Sequence, residues 1–178
     1  MKKTIGYLLL LLFVSLIVFR IYSSIIIKQQ LTGNLKRAAD ANSIELALQE
    51  LNTSIDYIEK NNLTTGYTSI IYQTPDEDLE FWYKNLKASK YELEKSVNST
   101  SLEKTNVLLK LRETLLDEGK KGSYITYPEG IAIFPNNKLI AILFLISILF
   151  IPLFFYELIK YDQEQKRLKK EKKLKVKE

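Results

Sequence analysis

Residues 139–156, LIAILFLISILFIPLFFY, run for eighteen residues without a charge or a glycine. As a helix rising 1.5 Å per residue the run reaches about 27 Å, close to the ~30 Å hydrocarbon core of a bilayer. A single segment can enter lipid only as a helix, because every backbone N–H and C=O must be paired within it. A helix buried in a soluble protein seldom stays apolar on every face for this long. The stretch therefore predicts a transmembrane helix, and the rest of the chain is organised around it.

Working towards the N-terminus, a second apolar run, Ile5–Phe19, follows Met1-Lys2-Lys3. It has the charged start of a signal peptide but lacks a small-residue cleavage site, and Arg20-Ile21-Tyr22 follows it. Fifteen residues reach only about 22 Å, so the span is expected to remain uncleaved and to continue to Ile27. Arg20 then snorkels to the headgroups, since Leu139–Leu145 at matching depth offers no acid.

The expected domains are a cytoplasmic N-terminus (1–4), transmembrane helix 1 (5–27), an extracytoplasmic helical domain (28–138), transmembrane helix 2 (139–156) and a basic tail (157–178). Charge supports the orientation. Residues 28–138 hold 14 Lys and Arg against 16 Asp and Glu, whereas residues 158–178 hold 9 against 4. Lys and Arg near span ends favour the cytoplasmic side, so both termini are expected inside, at the cytoplasmic membrane. Lys160, Lys166, Arg167, Lys169, Lys170, Lys172 and Lys173 leave the inner face directly and are the expected contacts with anionic headgroups.

The chain has no Cys and no His. The commonest general base, thiolate and imidazole metal ligands and the usual nucleophilic triads are thereby absent. The protein is read as non-catalytic and without cofactors. A nucleic-acid role is not expected, because the basic tail carries only Tyr161 as an aromatic.

Within 28–138, residues 31–62 read as one helix. Ala41, Ile44, Leu48, Leu51, Ile55 and Ile58 recur at spacings of three and four, with Glu45, Gln49, Glu50, Asn52, Asp56 and Glu59 off the stripe. Packing inside a helical bundle is expected; an intermolecular coiled coil, and with it a homo-oligomer, is the alternative. Asn61-Asn62 and Gly66 should end this helix. Residues 63–72 are rich in Thr, Tyr and Ile and are a candidate short strand.

Thr74-Pro75 with Glu77 predicts a capped helix start, running to about Val97. Phe81-Trp82-Tyr83 places three rings on its first turns, one expected to pack and another to face outward as a partner contact. Asn98–Ser101 should cap the next helix, about 102–117, which Gly119 and Gly122 stop. A short β-hairpin is expected from Tyr124–Tyr127 and Ile131–Phe134 around Pro128-Glu129-Gly130. The fold class is thus mainly α, two transmembrane helices flanking a small extracytoplasmic helical bundle with a hairpin.

Tyr127-Pro128-Glu129-Gly130 through Phe134-Pro135-Asn136-Asn137-Lys138, followed by a span and a short basic tail, resembles in layout the polysaccharide chain-length determinants, bacterial polysaccharide copolymerases. That resemblance implies a non-catalytic oligomer regulating glycan polymerisation and transfers no site residues. The function expected is a scaffold or assembly subunit of the cell envelope, with the bilayer and other membrane or envelope proteins as partners. A sensory protein signalling through a separate cytoplasmic partner is the alternative.

Overall fold

A computed structural model describes residues 2–68, 73–119, 122–128, 130–131 and 138–175. The chain is mainly helical and divides into two compact units, one built from the two ends and one from residues 20–138.

The terminal unit holds the two apolar helices, α1 (Lys2–Ile27) as far as Phe19, and α6 (Lys138–Lys175). Both are long and apolar enough to cross a membrane. The Tyr7 ring meets Phe154 edge-on at 5.6 Å, and Phe13 stacks on Phe144 at 6.1 Å. Advancing along α1 therefore retreats along α6, so the helices are antiparallel neighbours. Ser147 is buried in α6, and its hydroxyl donates to the Phe144 carbonyl at 2.8 Å. Its polar group is thus paired within its own helix, as an apolar surrounding requires. Helix α6 passes through Pro152 and continues for 38 residues, about 57 Å, so the tail is a helical extension of the apolar run.

In the central unit the expected single helix over 31–62 is three pieces. A π-helical segment, Lys28–Thr32, leads into α2 (Gly33–Ala39), and α3 (Ile44–Lys60) starts afresh. The Ser43 side chain accepts from the Leu46 N–H at 3.3 Å, making Ser43 the N-cap of α3. The apolar spacing continues through Ala38, Ala39 and Ala41, which hid the break. Helix α3 ends as expected at Asn61-Asn62, with Asn62 at φ +55°.

Helix α3 is the centre of this unit. Ile44, Leu51, Ile55 and Ile58 are buried as anticipated, joined by Ala47, while Ala41 and Leu48 are half-buried. Around it pack Leu31 and Leu35, then Leu79, Leu86 and Leu93 of α4 (Leu79–Ser96), and Leu111 and Leu115 of α5 (Ser101–Leu115). Removing any of these leucine side chains would cost about 2–5 kcal/mol. Glu50, expected to face solvent, is buried instead. The α2 helix covers it and supplies Arg37, whose guanidinium lies 2.5 Å from the Glu50 carboxylate.

Two local expectations are corrected. Thr74-Pro75 starts only a 3₁₀ turn, Pro75–Glu77; the cap of α4 is Asp78, whose Oδ1 accepts from the N–H groups of Glu80 and Phe81 at 2.9 and 3.2 Å. Glu77 binds back to the Thr74 hydroxyl at 2.9 Å. The hairpin is displaced: β1 (Leu116–Gly119) pairs antiparallel with β2 (Gly122–Ile125), Leu116 opposite Ile125. The helix stops before Gly119 and Gly122, at Leu115, where Leu116 turns extended; the two glycines instead pair with each other at the end of the hairpin, with Gly122 at φ +109°. The Ile131 N–H donates to the Pro128 carbonyl at 3.3 Å, so Pro128 opens the hydrogen-bonded turn rather than standing second in it, and the turn ends on the buried Ile131. Of the candidate strands at 63–72 and 131–134, residues 69–72 and 132–134, like most residues carrying the family resemblance, lie outside the described residues, and residues 63–68 form no strand beyond an isolated bridge. Tyr67 bridges Asp78.

Gly33 caps the π-helical segment, donating its N–H to the Lys28 carbonyl. A β-carbon there would lie 2.8 Å from that oxygen. Alanine normally stabilises a helix interior over glycine by about 0.5–1 kcal/mol. Gly33→Ala is expected to do the opposite, lowering stability by about 1–3 kcal/mol through overpacking. Chemical unfolding followed by circular dichroism decides the sign.

Candidate functional site

The central unit has a groove of about 790 Å³ between the start of α4 and the segment that follows α5. One wall comes from Asp76, Glu77, Asp78, Phe81, Trp82 and Asn85. The other comes from Asp117, Tyr124, Thr126 and Tyr127, over a floor that includes Leu86 and Leu115.

Local rules position each side chain. Asp78 is fixed as the α4 cap, which turns Phe81 and Trp82 onto the first exposed turn of the helix. The Trp82 indole N–H donates to the Thr126 carbonyl at 3.2 Å. This satisfies the ring's polar edge, joins the two walls and leaves an aromatic surface against the groove. Asp117 and Tyr124 are directly opposed in the β1–β2 ladder, so the hairpin register places a carboxylate beside a phenol.

The three expected partner-contact rings separate. Phe81 is 63% exposed and Trp82 half-buried, and both line the groove. Tyr83, half-buried, is not in the groove; it points towards α3, where its hydroxyl donates to Glu59 at 2.5 Å. Sequence reading missed Tyr124, Tyr127, Asp117 and Asn85. The available signal was the pair of tyrosines three apart before Pro128, read instead as strand residues of a different hairpin. Of the expected headgroup contacts, Lys160, Lys166 and Arg167 are exposed on α6, with Lys166 paired to Asp162 at 2.6 Å. Lys169, Lys170, Lys172 and Lys173 follow on the same helix.

Among the described residues no three acidic side chains gather where they could share a metal ion. Compared with known proteins, the chain has no significant match to a family model, a curated protein or a solved structure.

The Tyr83–Glu59 bond gives a pH signature. Accepting from Tyr83 holds the Glu59 carboxyl below its ordinary value, with the Lys87 ammonium 3.5 Å away assisting. The same bond pushes Tyr83 up from 10.0 to about 12. The stabilisation due to Tyr83 is complete below pH 10 and is lost as pH rises through about 12. That due to Glu59 is present above the ordinary carboxylate value and is lost as pH falls through its depressed one. Tyr83→Phe should therefore lower the unfolding midpoint at neutral pH and converge with the parent protein at both extremes. Its alkaline ultraviolet titration should lack the latest-ionising tyrosine.

Proposed function

We propose that this protein is a non-catalytic scaffold or assembly subunit of the cell envelope, held in the cytoplasmic membrane by α1 and α6, with its central domain outside and its basic tail inside. The observation that carries this is the exposure of both apolar helices. Only 6% of the most apolar window of the first, and 12% of the second, is covered by the chain itself. Leu8, Leu11, Val14 and Val18 of α1 and Ile142, Leu145, Leu149 and Leu153 of α6 are all exposed. Side chains of this kind gain about 1.5–3 kcal/mol each on full burial. Leaving them in water would forgo a sum comparable with the 5–15 kcal/mol that holds a whole domain folded.

The antiparallel ring contacts support termini on one side, and the Lys/Arg excess after α6 supports that side being the cytoplasm. The tail's cations would then lie near anionic headgroups, each worth about 1 kcal/mol close to the surface. The groove gives the central domain a surface for a partner. The layout shared with polysaccharide copolymerases suggests glycan export or polymerisation as the setting.

A second reading, a sensor acting through a separate cytoplasmic partner, is favoured by one observation: α6 continues unbroken from the apolar run into the charged tail, so a shift at one end could reach the other.

Because the chain has no Cys, single substitutions report cleanly. In intact cells an impermeant thiol reagent should label Ser99→Cys and spare Lys170→Cys until the cells are opened; the reverse pattern would overturn the topology. Crosslinking in the same membranes should recover the chain joined to an envelope protein or to a second copy. Recovery of the uncrosslinked chain alone would contradict a scaffold.

A further inference from the structure

We infer that the groove between α4 and the β1–β2 segment receives a Lys- or Arg-bearing stretch of another protein. This gives the docking surface of the proposed scaffold its partner chemistry, and rests on that scaffold reading for the partner's presence.

Charge complementarity selects the occupant. Among the described residues the lining contains four carboxylates, Asp76, Glu77, Asp78 and Asp117, and no Lys or Arg. Asp78 and Glu77 are engaged in capping α4 and in holding Thr74. Among the described residues Asp76 has no ion-pair or hydrogen-bond partner, and Asp117 accepts there only the N–H of Glu118 at 3.1 Å. Concave surfaces lined by one sign of charge concentrate ligands of the other sign.

The aromatic walls sharpen the choice. Phe81, Trp82, Tyr124 and Tyr127 contribute four rings to one groove. Ring faces attract ammonium and guanidinium groups while the aliphatic stem of Lys or Arg packs along them. The volume, about 790 Å³, is within the range of sites that enclose small ligands and peptide side chains. A neutral glycan could stack on the rings and donate its hydroxyls to the carboxylates, but it would leave their negative charge uncompensated, and an acidic glycan would be repelled. The chain's own basic tail lies across the membrane in the proposed topology.

Trp82 is the only tryptophan, so the groove carries its own reporter. The full-length protein in nanodiscs is titrated with a tetralysine peptide, its glutamine counterpart and a neutral linear oligosaccharide, following Trp82 emission. Tetralysine is expected to change the emission saturably and to weaken as salt rises. The double variant D76N/D117N should bind about fivefold more weakly, the loss expected for two solvent-reachable ion pairs. Both changes are isosteric, and D76N alone, in an exposed turn, provides a smaller loss should the double variant fail to fold. Silence towards tetralysine, an equal response to the glutamine peptide, or unchanged affinity in the variants would overturn the proposal. A response confined to the oligosaccharide would overturn it too and assign the groove to glycans. None of these readouts depends on membrane orientation, so failure of the groove and failure of the topology are told apart.

Discussion

Apolar side chains on α1 and α6 have more surface than their own chain can cover, and that imbalance governs how the protein is built. The backbone of each helix is satisfied internally, so hydrogen bonding makes no demand on the surroundings; the side chains do. Tyr7 with Phe154 and Phe13 with Phe144 use up one face of each helix. Leu8, Leu11, Val14 and Val18 of α1 and Ile142, Leu145, Leu149 and Leu153 of α6 are left exposed. In the proposed topology lipid would cover these side chains, and two antiparallel helices would return the chain to the side from which it started.

The central unit is stabilised in a different currency. Helix α3 buries one stripe against three other helices, and its polar neighbours are recruited into the packing where they cannot avoid it. Glu50 is met beneath α2 by Arg37, and Ser54 returns its hydroxyl to the Glu50 carbonyl at 3.0 Å. The groove lies away from this stripe, at the junction of a capped helix start and a two-stranded hairpin. Both elements hold their side chains by local backbone geometry, so the surface can be polar and aromatic without weakening the core.

How much of this was legible depends on the distance over which each signal acts. The two spans show themselves as uninterrupted apolar runs, and the α3 stripe as a spacing of three and four. The Thr100–Glu103 box, with Glu103 accepting from the Thr100 N–H at 2.9 Å, is visible four letters at a time. The break at Asp40–Ser43 was hidden because alanines bridge it without disturbing the apolar rhythm. The hairpin was misplaced because Gly119 and Gly122 terminate a helix and flank a turn equally well; only the pairing of Leu116 with Ile125 decides. The groove was least legible. Phe81-Trp82-Tyr83 stood out as a cluster, but which ring packs depends on Thr126, 44 residues further on, and on Glu59, 24 residues back.

Everything proposed about function rests on lipid being the solvent of α1 and α6. Alkaline carbonate extraction of native membranes tests this most directly, because it strips proteins held at the surface by charge and leaves those held by buried apolar helices. The account predicts that the full-length chain stays with the membrane pellet. Its release into the supernatant as a folded, soluble protein would contradict it.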